Sequence, residues 1–134
     1  MIKKIIILIT IIIVIIVIGI VTYKTEKKFD NFTIVKIENN PLNFGTISRN
    51  DTIKHIFKIT NTTKTVLVID KVLSSCPCLF SKTDKKFCKI NETANIEVIL
   101  VPKSKQIGKI MTIVFVQCNA NKGILRLELT GNIK

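Results

Sequence analysis

Tryptophan is absent from this 134-residue sequence, and it has only one histidine, two methionines and five glycines. Five glycines leave no glycine-rich loop of the kind that cradles phosphate groups. A catalytic serine or cysteine would have to use His55, and nothing near His55 resembles a nucleophile elbow. The nine carboxylates are spread singly, with no pair spaced for acid–base catalysis. The sequence therefore predicts a protein that is not an enzyme.

Arginine is also scarce, although the chain is strongly basic. The formal net charge is +12, yet only Arg49 and Arg126 carry guanidinium groups, and the lysines are scattered without a long basic run. Arginine is the better reader of phosphates and base edges, and nucleic-acid sites concentrate their charge on one face. We expect no nucleic-acid partner, and attraction to anionic lipid headgroups suits this charge better.

A long apolar run lies near the N-terminus. Ile5–Val21 consists of Ile, Val and Leu apart from Thr10 and Gly19, and as a helix it would span about 26 Å, close to the roughly 30 Å of a bilayer core. Lysines flank the run on both sides, and Tyr23 follows it, as at a membrane interface. We predict a membrane anchor over residues 1–23, with lipid-facing positions that include Ile5, Leu8, Ile13, Val17 and Val21.

A cleaved signal peptide is the alternative for this segment. Such peptides have an apolar run of about 7 to 15 residues and a small-residue cleavage site. Here the run is longer, and neither a cleavage site nor a lipid-accepting cysteine follows it, so we predict a retained signal anchor. The flanking lysines leave the orientation undecided, but four cysteines, an even number, suit an oxidising compartment. We expect the domain outside the cytoplasm, in the periplasm or at the cell surface.

Beyond the anchor we predict a polar linker over residues 24–31 and one domain over residues 32–134. Short alternating segments separated by turns predict about seven strands. The predicted strands are Phe32–Glu38, Leu42–Ile47, Thr52–Thr60, Thr65–Val72, Thr93–Val101, Ile107–Val116 and Ile124–Ile133. Leu73–Lys89 shows no period and is predicted as an irregular loop. This pattern predicts an all-β, immunoglobulin-like sandwich preceded by one N-terminal transmembrane helix.

Several short motifs follow one another in this predicted domain. They are Phe44-Gly45-x-Ile47, Asn50-Asp51, His55-x-Phe57, Asn61-Thr62, Ser75-Cys76-x-Cys78, Gly108 and Leu129-x-Gly131. In this order they resemble the bacterial domain-of-unknown-function family 1573, which is similar to immunoglobulin-like sandwiches of flagellar and centrosomal scaffold proteins. The resemblance implies an exported, envelope-associated domain and supplies no activity. Pro77 and Leu79 depart from the family's usual Gly and Thr, and Ile90-Asn91 replaces its Pro-Gly turn.

The cysteines are the candidates for the chemistry of this domain, as disulfides or as metal ligands: Cys76, Cys78, Cys88 and Cys118. Four cysteines permit three fully paired connectivities, which the sequence leaves open. A disulfide from Cys76 or Cys78 to Cys88 would pin the predicted loop and stabilise the fold by about 3 kcal/mol.

The alternative is a Cu(I) site on Cys76 and Cys78, with Cys88 or Cys118 as a third ligand, because soft thiolates favour Cu(I). A membrane-anchored immunoglobulin-like domain with a Cys-x-Cys motif also resembles copper chaperones of cytochrome oxidase assembly, by architecture alone. No Met-rich or His-rich stretch supports copper, and the cysteine spacing does not match a zinc knuckle. Thiol–disulfide chemistry is disfavoured, because redox cysteines usually begin a helix and none is predicted here.

The predicted function is that of a membrane-anchored, extracytoplasmic binding or scaffold module of the cell envelope, without catalysis and without a cofactor. Its expected partners are the membrane and an envelope protein. A Cu(I)-binding, metallochaperone-like domain is the alternative. We expect His55 to be a hydrogen-bonded structural residue on the core face of its strand.

Overall fold

The computed structural model describes residues 2–23, 32–103 and 106–134, so the predicted linker 24–31 lies outside the described residues. One helix, α1 (Ile2–Tyr23), coincides with the apolar run, and its described side chains from Ile2 to Ile18 are all exposed. Among the described residues, no helix combines the length and the apolar character required to cross a membrane.

In the part of the chain that the structure describes, nine strands follow the helix, and all of them lie in the predicted domain. They are β1 Val35–Ile37, β2 Leu42–Ile47, β3 Ile53–Asn61, β4 Leu67–Ser74, β5 Leu79–Thr83, β6 Phe87–Cys88, β7 Thr93–Leu100, β8 Gly108–Cys118 and β9 Ile124–Ile133. A single 3-10 turn at Asn121–Gly123 connects the last two strands.

The strands form two sheets that pack face to face. One sheet has four strands in the order β1-β3-β7-β5, and the other has five in the order β2-β9-β8-β4-β6. All the strand pairs are antiparallel except β2–β9, which is parallel. The result is the predicted immunoglobulin-like β-sandwich.

The core lies between the sheets and is built from alternate residues of each strand. β7 follows the pattern throughout, because every second residue from Ala94 to Leu100 is buried. The largest buried side chains are Phe57, Ile59, Leu67, Ile69, Ile96, Leu100, Leu127, Leu129 and Ile133. This strict alternation is what a strand with one face in a core requires.

The number of strands differs from the predicted seven because β5 and β6 lie in the segment predicted as an irregular loop. These strands have five and two residues, too few for a period of two to stand out. Each forms by pairing at the edge of a sheet, β5 with β7 and β6 with β4. Such pairing depends on tertiary neighbours rather than on local pattern.

Candidate functional site: the cysteine loop and the face beside it

The cysteine loop, Ser75–Cys78, joins β4 of one sheet to β5 of the other. Ser75 N–H donates to Ile113 O at 2.9 Å, and Ile113 N–H donates to Ser75 Oγ at 2.9 Å. At the other end, Leu79 N–H donates to Cys76 O at 3.0 Å and closes the turn. Backbone hydrogen bonds therefore hold the loop where the chain crosses between sheets.

Cys76 and Cys78 are joined to each other by a disulfide. Cys78 is only 2% exposed, whereas Cys76 is half-buried. The sequence prediction considered a bridge to Cys88, which would stabilise the fold by about 3 kcal/mol; the observed three-residue ring contributes about 1.5 kcal/mol on the same chain-entropy model. The observed disulfide therefore stabilises the fold less than the bridge to Cys88 would.

Gln106 supplies hydrogen-bond donors beside the two sulfurs. Its Nε2 lies 3.7 Å from Cys78 Sγ and 4.0 Å from Cys76 Sγ. Its Oε1 accepts a hydrogen bond from Lys103 N–H at 2.9 Å, which orients the amide so that its NH₂ group points to the disulfide. The backbone N–H of Cys78 also donates to Cys76 Sγ at 3.0 Å.

Cys88 and Cys118 are free, and both are completely buried. They lie on the two strands that flank β4, opposite Leu67 and Ile69. Strands two apart in a sheet are separated by about 10 Å, beyond the roughly 7 Å limit between Cα atoms in a disulfide. Burial raises the pKa of both thiols, so both have the character of inert core cysteines.

The structure does not bring these two cysteines to the cysteine loop. Ser75 contacts Thr112, and Cys118 lies six residues further along β8, roughly 20 Å away. Cys88 lies opposite the start of β4, whereas the loop follows its end. In the part of the chain that the structure describes, no three His, Cys, Asp or Glu side chains come together as a metal-ligand set. Neither cysteine is placed to act as the third copper ligand considered above.

His55 lies on the core face of β3, as its alternation with Ile53 and Phe57 predicts. Its ring packs edge-on against Phe57, with 4.7 Å between ring centroids. Its buried Nε2 has no hydrogen-bond partner, in contrast to the hydrogen-bonded histidine that we expected. The neighbours on its face of the strand are apolar, and burial lowers the pKa of the imidazole.

The outer face of the four-stranded sheet carries an apolar patch that consists of Ile56, Phe80 and Ile99. Phe80 of β5 lies directly opposite Ile99 of β7, and Ile56 of β3 is diagonal to Ile99. Phe80 is 61% exposed and Ile56 52%. Among the described residues, β5 pairs with β7 on one side and with no strand on the other. The patch therefore adjoins an open sheet edge.

Lysines surround the apolar patch. Lys82 forms an ion pair of 2.8 Å with Glu97, and this hydrogen bond raises the pKa of Lys82. Lys54 and Lys58 flank Ile56 on the same face of β3. The patch therefore has an apolar centre and a predominantly basic rim.

Sequence reasoning missed Gln106 and Phe80. Gln106 is 28 residues from Cys78 in the chain, and no motif links the two positions. Phe80 falls in the segment predicted as irregular. In this five-residue strand the apolar Leu79 and Phe80 are adjacent and the remaining residues are polar, so no alternation marks it as a strand.

The motifs along the sandwich correspond to a known family. Residues 35–133 match DUF1573, a protein family of unknown function. The chain belongs to this family. The match confirms the resemblance seen in the sequence, and the Cys76–Cys78 pair is the family's Cys-x-Cys motif.

Solved structures similar to this DUF1573 domain have little sequence identity with it. A protein of unknown function from Porphyromonas gingivalis W83 has a TM-score of 0.67 at 16% identity; the match covers 78% of this chain and 49% of that one. The ASH/PapD-like domain 7 of human CEP192 has a TM-score of 0.57 at 16% identity, with 83% and 91% covered. The VesB protease of Vibrio cholerae has a TM-score of 0.53 at 12% identity, with 75% and 31% covered.

These likenesses establish the sandwich fold alone, because identity this low carries no activity from one protein to another. The chain spans about half the length of the Porphyromonas gingivalis protein. No curated protein matches the DUF1573 chain.

Proposed function

We propose that this protein is a membrane-anchored, extracytoplasmic binding or scaffold module of the cell envelope, without catalysis and without a cofactor. The observation that carries the proposal is the apolar patch Ile56, Phe80 and Ile99 beside the open edge of β5. An exposed aromatic side chain next to unpaired strand backbone is a recurrent docking arrangement for extended peptide segments.

The proposed partner is an extended segment of an envelope protein that adds to β5 as a further strand. Its backbone would hydrogen-bond to the free side of β5, and alternate apolar side chains would cover Phe80 and its neighbours. Lys54, Lys58 and Lys82 outnumber the two acidic residues described in this area, Asp84 and Glu97. The charge balance favours a segment with acidic residues beside its apolar ones.

The proposed anchor is the N-terminal helix. Ile5–Val21 contains no charged residue, lysines flank it, and the described side chains of α1 from Ile2 to Ile18 are exposed. In water this much exposed apolar surface is unfavourable, and a bilayer would remove it from water. The free cysteines do not decide the compartment, because both are buried, but the Cys76–Cys78 disulfide supports an oxidising one.

A Cu(I) site on Cys76 and Cys78 is the alternative proposal. Both sulfurs lie in one loop beside Gln106, which supports it. It requires reduction of the disulfide and leaves the metal with two thiolate ligands from this chain. We rank it below the binding module because the outer face of the sheet offers a larger surface for recognition.

The first experiment places a photoreactive amino acid at position 80 of the full chain in its native membranes. We expect one reproducible crosslinked product with a second protein, because position 80 would lie under the added strand. The matched control places the same group at Met111, which is 64% exposed on the other sheet. Equal products from both positions, or none from position 80, would contradict the proposal.

A second variant tests the patch itself. Ile56→Lys replaces an exposed side chain, so we expect the free energy of unfolding to change by no more than about 0.5 kcal/mol. The yield of the crosslinked product from position 80 should decrease, because a charged side chain would then lie in the apolar patch. An unchanged yield of this crosslinked product would mean that the partner does not bind at the apolar patch.

A further inference from the structure

The disulfide in the cysteine loop is not required to hold the loop in place. Ser75 is hydrogen-bonded to β8 through its backbone and its hydroxyl, and Cys78 O accepts a hydrogen bond from Val101 N–H at 2.9 Å. The bond links cysteines only two positions apart. A covalent link over so short a segment adds little constraint to a turn that hydrogen bonds already fix.

The two sulfurs differ in access to solvent. Cys76 is half-buried and is followed by exposed Pro77, whereas Cys78 is buried. Cys76 is therefore the more accessible of the two cysteines to an external thiolate. Since exchange begins with attack on one sulfur, accessibility selects Cys76 as the sulfur attacked and Cys78 as the leaving group.

A hydrogen-bond donor lies beside the sulfur that would leave, Cys78 Sγ. Gln106 Nε2 is nearer to Cys78 Sγ, at 3.7 Å, than to Cys76 Sγ, at 4.0 Å. Because Lys103 N–H holds Gln106 Oε1, the amide cannot turn its oxygen toward the sulfurs without losing that hydrogen bond. A fixed donor stabilises a thiolate more than a disulfide sulfur, since hydrogen bonds to charged groups are the stronger ones.

We propose that the Cys76–Cys78 disulfide is a thiol–disulfide exchange site that oxidises a protein dithiol, with Gln106 as a positioning residue for the departing Cys78 thiolate. Redox cysteines commonly use a helix N-terminus to stabilise the thiolate. This loop has no helix, and the oriented side-chain amide of Gln106 takes that role. The proposal does not rest on the edge of β5 and stands or falls independently of the binding function.

The exchange proceeds in two balanced steps. A partner thiolate attacks Cys76 Sγ, forming a mixed disulfide; the Cys76–Cys78 bond breaks, and its electron pair passes to Cys78 Sγ, which then takes up a proton. The partner's second thiolate attacks the partner sulfur of the mixed disulfide and releases Cys76 as a thiolate, which is protonated in turn. The partner loses two electrons and becomes a disulfide, and Cys76 and Cys78 become thiols. Each chain thus oxidises one dithiol, and a disulfide-class oxidant is required to restore the Cys76–Cys78 bond.

The test mixes the full chain in detergent with a synthetic peptide that carries two reduced cysteines. Acid quenching, alkylation and mass spectrometry then locate the thiols. We expect one peptide disulfide per chain, new thiols at Cys76 and Cys78, and no alkylation of buried Cys88 and Cys118 without denaturant. A Cys76–Cys78 bond that stays oxidised under excess reduced peptide would show a structural disulfide and overturn the proposal.

Three variants test the roles of the residues. In the Cys78→Ser variant, the remaining Cys76 thiol should form a lasting mixed disulfide with the oxidised peptide. In the Cys76→Ser variant, the remaining Cys78 thiol should form the corresponding mixed disulfide at least about tenfold more slowly, because access to the thiol controls the rate. Gln106→Leu should slow exchange in the otherwise unchanged chain about tenfold, which is the effect of losing one hydrogen bond to a charged group.

The matched control for Gln106→Leu is Gln117→Leu, on β8 and away from the cysteine loop. It should exchange at the rate of the unchanged chain, and urea unfolding should show both glutamine variants folded. Equal mixed-disulfide rates for the two single-cysteine variants would overturn the assignment of Cys76 as the attacked sulfur. An unchanged rate in Gln106→Leu would overturn the role of Gln106.

Discussion

At the scale of single residues, Asn61 shows how a polar side chain organises the sandwich from within. It is completely buried at the end of β3. Its Nδ2 donates to Thr65 O and to Cys88 O, each at 2.9 Å, and its Oδ1 accepts from Thr63 N–H at 3.0 Å. One side chain therefore closes the β3–β4 turn and ties β6 to it, and its hydrogen bond to Cys88 O is buried.

We predict that Asn61→Ala lowers the free energy of unfolding by about 3 kcal/mol, because the buried carbonyl oxygen of Cys88 and the partly buried one of Thr65 lose a donor. Urea unfolding of the full chain in detergent measures the change. Asn50→Ala, at an exposed turn, is the matched control and should cost less than about 1 kcal/mol. A loss at Asn61 no larger than that of the control would contradict this account.

At the scale of elements, the parallel pair β2–β9 explains why two separate motifs occur in this sequence. The register of β2 shifts between Asn43 and Thr46, where Gly45 has a φ of 72°. This bulge places the ring of Phe44 over Gly131 of β9, in the space that a Cβ at position 131 would occupy. An aromatic ring that covers a strand glycine stabilises the pairing of neighbouring strands. The Phe44-Gly45 and Leu129-x-Gly131 motifs are thus two halves of one contact.

Gly131→Ala should lower the free energy of unfolding by about 2 kcal/mol, because the new methyl group displaces the Phe44 ring. In a Phe44→Ala background the same change should cost much less, since the ring is already gone. Thermal unfolding of the four chains in this double-mutant cycle measures the coupling. Additive costs would mean that Phe44 and Gly131 do not act as one contact.

The strands also show which parts of the fold can be predicted from the sequence. All seven predicted strands exist near their predicted positions, and the longer ones such as β3 and β7 have enough alternating residues for a period of two to be recognised. The positions of β5 and β6 were not predicted, since such short edge strands form only where β7 and β4 provide partners. Asn61 belongs to the Asn61-Thr62 motif of the sequence, but its burial at the end of β3 follows from the packing of β6 against it.

At the scale of the whole molecule, a helix with exposed apolar side chains is joined to a sandwich with its own closed core. This division predicts that the two parts behave independently. If α1 is the anchor proposed above, the full chain should sediment with membranes after alkaline carbonate extraction, whereas the shortened chain Phe32–Lys134, which lacks α1, should remain in the supernatant.

Two controls make the membrane test specific. Val14→Lys together with Ile15→Lys keeps the length of the helix but places two charges in its apolar run, and should release the chain from membranes. Protease added to intact spheroplasts should digest the sandwich if it lies outside the cytoplasm. Sedimentation of the shortened chain with membranes would assign the attachment to the sandwich instead.

The sequence by itself determined the features that depend on neighbours along the chain. The apolar run specifies α1, alternation specifies the longer strands and their buried faces, and the ordered motifs specify the DUF1573 family. Only the tertiary structure decided which cysteines pair, that Gln106 faces their sulfurs, that Phe44 covers Gly131, and that Phe80 lies on an open edge. Apart from the Cys76–Cys78 bond, those contacts join residues far apart in the chain, and no local periodicity records which distant strand becomes a neighbour. For the cysteines, four residues permit several pairings, and the fold holds Cys88 and Cys118 apart from each other and from the cysteine loop, so that Cys76 and Cys78 pair.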